Sequence, residues 1–166
     1  DEDLSRGLGD VYKRQVDDNV GRVLNYLDDS GLSENTIVIY TSDQGFYLGE
    51  HGWFDKRFIY DESFKTPLLI RWPNKIEAGI TNDEMVQNLD FAQTFLEAAG
   101  IEAPDDMQGE SLIPLLTENG EGWTRDAVYY HYYEYPSVHM VKRHYGIVNK
   151  DYKLCLLYTS DAADDS

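Results

Sequence analysis

Hydrophobic residues near the start of the chain follow first a helical and then a strand-like pattern. The helical positions are Val16, Val20, Val23, Leu24 and Leu27, which form one apolar stripe at the spacing of an amphipathic helix. Ser30-Gly31 supplies a stop signal after them. Residues 36–41 then form a short β-branched run, typical of a strand buried on both faces. The order helix, loop, buried strand, polar loop predicts an α/β sheet, in which ligands bind beyond the carboxyl ends of the strands.

The rest of the chain predicts further short elements around one long loop. Residues 44–66 are rich in glycine, aromatic and charged residues, and a loop of this length inside a compact domain usually has a function. The later patterns predict a proline-bounded strand over 67–73, a helix from Val86 to Ala99 that stops at Gly100, a helical turn within 109–116, and two pairing strands over 127–135 and 145–152.

Composition narrows the class of protein. The chain has 166 residues, of which 42% are hydrophobic, enough for one domain with a core. Its net charge of −17 argues against a nucleic-acid partner, because such proteins neutralise phosphates with Lys and Arg. No apolar run reaches the ~20 residues that span a bilayer, so no membrane association is expected. Cys155, the one cysteine, excludes an internal disulfide.

The two ends of the sequence do not look like the rest. Residues 10–15 read Asp-Val-Tyr-Lys-Arg-Gln, and the DNA GATGTGTATAAGAGACAG encodes them. The reverse complement, read out of frame, encodes Cys-Leu-Leu-Tyr-Thr-Ser, the sequence of residues 155–160. This relation is typical of a sequencing adapter translated at both ends. We therefore expect residues 1–15 and 155–166 to be artefacts that contribute nothing to the fold.

Asp43 and Gln44 directly follow the predicted buried strand. Their side-chain oxygens are the ligands that a hard cation such as Ca²⁺ or Mg²⁺ prefers, so the pair could form one edge of a metal site. Two ligands cannot hold such an ion alone. The alternative is an Asx turn in which the Asp43 side chain caps the strand end.

The loop that follows gathers His51, Lys56 and Arg57, and Lys65 lies close behind. Each of these residues alone is more often structural or solvated than functional. In an acidic chain, however, three cations beside a candidate metal edge suit an anionic substrate such as a sulfate or phosphate ester. The charge that develops on such a substrate needs cations in the transition state.

Longer motifs resemble one family. Thr41-Ser-Asp-Gln-Gly-Phe-Tyr-Leu-Gly-Glu-His-Gly-Trp-Phe-Asp-Lys56 and Tyr60-Asp-Glu-Ser-Phe-Lys-Thr-Pro-Leu-Leu-Ile70 resemble the C-terminal signature of the type I sulfatases. The likeness continues through Asn88-Leu-Asp-Phe-Ala, Met107-Gln-Gly-Glu-Ser-Leu and His144-Tyr-Gly-Ile, so that it covers nearly all of 16–154. It is greatest for enzymes that act on sulfated glycans, such as N-acetylglucosamine-6-sulfatases.

The resemblance implies a fold and a set of site residues. The expected fold is part of the alkaline phosphatase/sulfatase-like α/β fold, with 16–120 in the main domain and 121–154 beginning a small C-terminal subdomain. Asp43 and Gln44 would bind the catalytic Ca²⁺, and Lys56 would contact the sulfate. His51 would line the site, and Arg57 and His144 would contact the sugar substrate.

One departure from the family pattern limits what the chain can do. Sulfatases use a formylglycine nucleophile made from the Cys or Ser of a Cys/Ser-x-Pro/Ala-x-Arg motif, and this sequence contains no such motif. We therefore expect an inactive fragment of a longer parent enzyme. The resemblance implies that a formylglycine-generating enzyme matures the parent, and that the parent is a periplasmic or secreted bacterial protein.

Two other functions remain possible at this stage. A phosphodiesterase or phosphonate hydrolase of the alkaline phosphatase superfamily would share the metal edge and the sheet, with a different upstream nucleophile. A glycan-binding module would use Trp53, Trp72 and Trp123 as sugar platforms and would bind without a metal.

Overall fold

The computed structural model describes residues 2–117 and 120–157. The chain divides into two compact units. The first, which we call the helical unit, comprises Asp1–Ile39 and Ile70–Gly79. The second, the sheet unit, comprises Tyr40–Leu69 and Ile80–Ser166. The sequence predicts a domain boundary near residue 120, which differs from this division. That boundary concerns the longer parent enzyme and stays a prediction.

The helical unit is built on one long helix, α1, which spans Glu2–Asp29. It confirms the predicted helix and its end, and Gly31 follows with a left-handed φ of 70° that few other residues adopt readily. Residues 10–19 of α1 are exposed, as are Val16 and Val23 of the predicted apolar stripe. A 3₁₀ turn over Ser33–Asn35 follows the helix.

Two of the predicted strands form a two-stranded sheet. β1 spans Val38–Thr41 and β4 spans Leu68–Arg71, within the predicted ranges, and the two strands pair with each other. The division between the units falls within both strands. The expectation that β1 is buried on both faces is wrong for this chain, because its residues are half-buried or exposed and β4 is its one neighbour among the described strands.

The long loop over 44–66 is more regular than the sequence suggests. It contains an antiparallel hairpin of β2 (Tyr47–Leu48) and β3 (Phe54–Asp55), followed by the short helix α2 (Asp61–Phe64). Tyr47 faces Asp55 across the hairpin and both are buried, whereas the next pair, Leu48 and Phe54, is exposed. This alternation of burial is the period of two expected of strands.

The next helix starts later than predicted. α3 spans Asp90–Ala98, and the residues from Val86 to Leu89 precede it without helical structure. The reason is that the Asp90 carboxylate accepts a hydrogen bond from the Gln87 N–H at 2.6 Å, which fixes a turn before the helix. The predicted stop at Gly100 is confirmed, with φ at 71°. The helical turn expected within 109–116 corresponds to α4, Ile113–Thr117.

A three-stranded antiparallel sheet completes the sheet unit. Its strands in spatial order are β5 (Ala127–Tyr132), β6 (His144–Asn149) and β7 (Lys153–Leu157). The pairing of β5 with β6 confirms the sequence prediction, and Tyr130 lies opposite Gly146. A side chain at Gly146 would meet the Leu154 carbonyl oxygen at 2.4 Å, so the sheet requires glycine there.

The terminal segments predicted to be adapter-derived join regular elements where the structure describes them. Residues 10–15 continue α1 and are exposed, and Cys155–Leu157 belong to β7, whose residues are exposed. Residues 158–166 lie outside the described residues, and the assignment of both ends as artefacts stays a prediction. Among the described residues, no helix is long and apolar enough to cross a membrane.

Candidate functional site

Asp43 and Gln44 form a turn directly after β1. The Asp43 Oδ1 accepts a hydrogen bond from the Gln44 N–H at 2.9 Å, and the Ser42 hydroxyl donates to the Gln44 carbonyl at 2.8 Å. The first of these bonds joins neighbouring residues, whereas an Asx turn needs the N–H two residues on, so this bond does not confirm the Asx-turn alternative. Asp43 stays exposed, and no described residue hydrogen-bonds its second carboxylate oxygen or the Gln44 side-chain amide. The turn therefore leaves oxygen ligands that remain available to a hard cation.

Asn88 holds this turn from a distant part of the chain. Its side-chain Nδ2 donates to the Asp43 carbonyl oxygen at 2.8 Å across 45 positions of sequence. The sequence analysis included Asn88 in a motif of the resemblance but gave it no role. A donor to one carbonyl 45 residues away has no signal in local sequence patterns.

A buried ion pair fixes the segment that carries Asn88. Asp90 is fully buried, and its two carboxylate oxygens accept from both Nη atoms of Arg125, at 2.5 and 2.7 Å. The same carboxylate accepts the N–H groups of Gln87 at 2.6 Å and Glu110 at 3.0 Å. Asp90 raises the pKa of Arg125, because hydrogen bonds from the guanidinium to the carboxylate stabilise its charged form. Asn88 thus lies within a turn held by four hydrogen bonds.

Lys56 follows β3, and its two chain neighbours are both engaged. The Asp55 carboxylate accepts the Lys56 N–H at 2.7 Å and also pairs with the Arg57 guanidinium. Both of these charged side chains are mostly buried, with 10% of Asp55 and 17% of Arg57 exposed. Lys56 itself is half-buried, and within the described ranges no hydrogen bond or ion pair involves its ammonium group. That group is therefore available to an anion.

The expected cluster of three cations does not form. Arg57 is occupied by Asp55, and the Lys65 ammonium lies 2.8 Å from the Asp61 carboxylate. Of the three, Lys56 alone lacks a carboxylate partner among the described residues. The Arg57 guanidinium already holds a buried carboxylate, and the expectation that Arg57 contacts the substrate stays a prediction.

His51 lies on the surface of the long loop. Its Nε2 is 3.1 Å from a Glu62 carboxylate oxygen, and its ring stacks on Tyr60 with the centroids 3.9 Å apart. Its backbone is left-handed, with φ at 56°. The His51 side chain is 40% exposed, which is compatible with the lining role expected of it.

His144 lies inside the sheet unit. It is fully buried, its Nδ1 lies 2.8 Å from the Lys142 carbonyl oxygen, and its Nε2 lies 3.0 Å from the Arg57 carbonyl oxygen. Its ring stacks with Phe58 and Tyr132. Both ring nitrogens lie within hydrogen-bond distance of backbone carbonyl oxygens inside the protein, and the expectation that His144 contacts a sugar stays a prediction. A motif match cannot distinguish a buried histidine from a substrate-binding one.

The three tryptophans do not present equivalent platforms. Trp53 is exposed and contacts Phe58 edge to face. The ring of Trp123 is covered by the Arg125 guanidinium at 4.9 Å, and its Nε1 is buried without a hydrogen-bond partner among the described residues. A face already covered by arginine cannot stack on a sugar, which weakens the glycan-binding alternative.

One cavity of the sheet unit is lined by Lys65 but by few of the other residues described above. It has a volume of about 870 Å³ and is bordered by residues 82–88 and 148–153. Asn88 lines it, but Asp43, Gln44 and Lys56 do not. In the part of the chain that the structure describes, no three His, Cys, Asp or Glu side chains are grouped so as to hold a metal.

Comparisons with known proteins find similar sequences among the sulfatases. Residues 49–164 match the family model described as N-sulphoglucosamine sulphohydrolase, C-terminal. The matched range enters the C-terminal segment predicted to be adapter-derived. Over 146 residues the chain is 58% identical to an N-acetylglucosamine-6-O-sulfatase of Bacteroides thetaiotaomicron. The matched segment makes up 86% of this chain and 26% of that enzyme. The chain therefore spans about a quarter of the length of this relative.

Solved structures give the same picture. A protein in complex with its substrate D-glucosamine-2-N,6-O-disulfate matches 87% of this chain and 30% of its own, with 57% identity and a TM-score of 0.82. The phosphonate monoester hydrolase of Silicibacter pomeroyi matches 86% of this chain and 30% of its own, with 25% identity and a TM-score of 0.75. These matches confirm the predicted fold class.

Proposed function

The chain belongs to the sulfatase family, and on that premise we propose that it is the C-terminal part of an enzyme that hydrolyses sulfate esters on glycans. The observation that carries the proposal is the 58% identity to an N-acetylglucosamine-6-O-sulfatase over most of the chain. A 6-O-sulfated glucosamine unit is accordingly the first substrate to test. The phosphonate hydrolase alternative has less support, since its solved relative is 25% identical.

In this proposal the Asp43–Gln44 turn supplies one edge of a Ca²⁺ site. The donor set fits the ion, because Asp43 is an exposed carboxylate with a free oxygen and Gln44 adds an amide oxygen. Bound there, Ca²⁺ would stabilise negative charge on the sulfate ester. The turn's own contribution is orientation, through the Asn88 bond to the Asp43 carbonyl. Further ligands have to come from the rest of the parent enzyme.

Lys56 is proposed to bind the sulfate group. Its ammonium has no carboxylate partner among the described residues, in a chain whose net charge is −17. A free cation in such a chain can stabilise an anionic transition state without first breaking an ion pair. His51, beside Glu62, lines the same loop and completes the proposed substrate side.

The nucleophile has to come from outside this sequence. No Cys/Ser-x-Pro/Ala-x-Arg motif occurs in the 166 residues, so formylglycine cannot be made here. Covalent attack on the sulfate needs that group, and charge stabilisation alone supplies only part of the lowering of the barrier. We propose that a formylglycine-generating enzyme matures the parent, and that the parent is periplasmic or secreted. We expect the 166-residue chain alone to release no sulfate from aryl or sugar sulfates, with or without Ca²⁺.

A hybrid enzyme tests the proposal. Residues 16–154 would replace the matching part of the Bacteroides thetaiotaomicron relative, co-expressed with a formylglycine-generating enzyme. We expect sulfate release from 6-O-sulfated N-acetylglucosamine. Lys56→Ala should lower kcat/KM by about 100-fold or more, as expected when a charge-stabilising group is lost. The matched control is Lys75→Ala, at an exposed lysine that also lacks an ion pair among the described residues, which should change kcat/KM by less than about twofold.

Two results would contradict the proposal. Hydrolysis of phosphonate or phosphate diesters without any sulfate release would assign the chain to the alternative family. Sulfate release by the 166-residue chain alone would mean that its chemistry does not need the missing nucleophile.

A further inference from the structure

The backbone on the C-terminal side of Lys56 is held by a buried tyrosine. The Tyr47 hydroxyl accepts the N–H of Arg57 at 3.1 Å and the N–H of Phe58 at 3.2 Å. Tyr47 is fully buried, and burial is the main cause that raises its pKa. One neutral hydroxyl therefore satisfies two consecutive amides directly after Lys56.

The carbonyl group of Arg57 is held from the opposite direction. It accepts the Tyr130 hydroxyl at 2.5 Å and lies 3.0 Å from Nε2 of His144. These two residues belong to the neighbouring strands β5 and β6, and their rings are 5.5 Å apart. The Lys56 N–H also bonds to the Asp55 carboxylate. Between the Lys56 N–H and the Phe58 N–H, every polar backbone group except the Lys56 carbonyl therefore has a side-chain partner.

This concentration of buried polar side chains serves no strand pairing, because residues 56–58 lie outside the strands and helices. Buried polar groups are costly unless they are fully satisfied, and a satisfied network fixes one conformation. The conformation fixed here determines the direction of the Cα–Cβ bond of Lys56. We propose that Tyr47, Tyr130 and His144 are positioning residues that direct the Lys56 ammonium toward the sulfate.

The inference rests on the proposed function of Lys56 and adds a physical reason for it. A flexible lysine would lose side-chain and backbone entropy each time it met a substrate. A group held in place beforehand contributes its charge without that cost, and small displacements lower rates substantially. The placement of His144 then has an explanation, since it contacts the backbone that carries Lys56 rather than the sugar.

The first experiment uses the 166-residue chain and needs no activity. Amide hydrogen exchange is measured by NMR in the unmodified chain and in Y47F, Y130F and Y129F. Y47F removes the acceptor of two amides and should speed exchange at Arg57 and Phe58 by about tenfold. Y130F should shift the amide and side-chain resonances of Lys56. The matched control, Y129F, removes the hydroxyl next along β5, which bonds to His131 instead, and should leave the Lys56 resonances in place.

The second experiment separates positioning from simple stability with a double-mutant cycle in the hybrid enzyme. Y130F should lower kcat/KM by about threefold to tenfold, the value of one hydrogen bond. In a K56A background the same change should cost less than about twofold, because the group that it positions is gone. Y129F should have no such effect in either background.

The outcomes are distinct. Equal losses from Y130F in both backgrounds would overturn the inference, because Tyr130 would then act on the fold and not through Lys56. Unchanged exchange at Arg57 and Phe58 in Y47F would overturn it as well. A hybrid that releases no sulfate would refute the proposed function. The exchange data on the chain alone would still show whether these hydrogen bonds fix the backbone beside Lys56.

Discussion

The helical unit and the sheet unit differ in how they are stabilised. Every buried hydrophobic residue in the described ranges lies in the sheet unit: Tyr47, Ile59, Leu112, Leu115, Val128, Val141 and Val148. Among the residues of the helical unit whose burial is described, Ser33 is the one buried residue, and α1 leaves Val16, Val23 and Tyr26 exposed. Since burial of apolar surface is the main favourable term in folding, the sheet unit contains its own core and the helical unit does not.

The difference teaches that regular secondary structure and tertiary stability are separate properties. The 28-residue α1 is the longest regular element of the described chain, yet residues 10–19 of it are exposed. Residues 56–58 of the sheet unit lie outside the strands and helices, yet side chains from three other segments hold them. We therefore expect changes within the sheet unit to destabilise the protein and changes within α1 to have small effects.

The largest effect should come from the buried ion pair. Asp90→Ala would leave the Arg125 guanidinium, 6% exposed, without its carboxylate, and two backbone N–H groups without an acceptor. We expect the free energy of unfolding to fall by about 3–5 kcal/mol, measured by urea denaturation followed by circular dichroism. The control is Asp83→Ala, at an exposed position without an ion pair among the described residues, which should be nearly neutral. Similar losses in both variants would show that the loss does not come from the buried ion pair.

Alkaline pH should produce a smaller effect, again in the sheet unit. Burial raises the pKa of Tyr130 to about 12 from its ordinary value of 10.0. Between these values the unfolded chain loses the phenolic proton while the folded chain keeps it. Stability should therefore fall as pH rises from about 10 toward 12.

Ultraviolet difference spectra of the folded chain, compared with those of Tyr130→Phe, would detect this directly. The two spectra should be alike up to pH 11, because Tyr130 stays protonated in the folded chain. Ionisation of Tyr130 near pH 10 would show that its ring is not enclosed.

The smallest effect should follow removal of the N-terminal segment. Residues 10–15 of α1 are exposed and extend a helix that continues for another fourteen positions. Deleting residues 1–15 should change the melting temperature by no more than about 2 °C, as for other surface changes. A large loss would show that this segment packs against the fold and would count against its origin as an adapter.

Much of the fold was predictable because its signals are local. The apolar stripe from Val16 to Leu27 indicated α1, and the β-branched run over 36–41 indicated β1. The hairpin of β2 and β3 was missed, because each of its strands has two residues and periodicity needs a longer run. The late start of α3 was missed as well, since it depends on a carboxylate whose partner, Arg125, lies 35 residues away.

For the candidate site, the residues came mainly from the resemblance and their surroundings from the structure. Motifs indicated Asp43, Gln44 and Lys56 and gave no sign that Asp55 occupies Arg57. They indicated His144 but assigned it to the substrate. Sequence motifs identify which residues matter, whereas burial and hydrogen-bond partners decide what each one contacts.

The hydrogen bonds that fix the backbone beside Lys56 can form only in a certain order during synthesis. The bonds to the Arg57 carbonyl come from residues 73 and 87 positions later in the chain. Domains are synthesised at about 5–20 residues per second, so Lys56 is added to the chain roughly 4–17 s before His144. Until Tyr130 is added, Tyr47 is the one member of the three already synthesised. Lys56 can therefore reach its final orientation only after β5 and β6 have paired, late in synthesis.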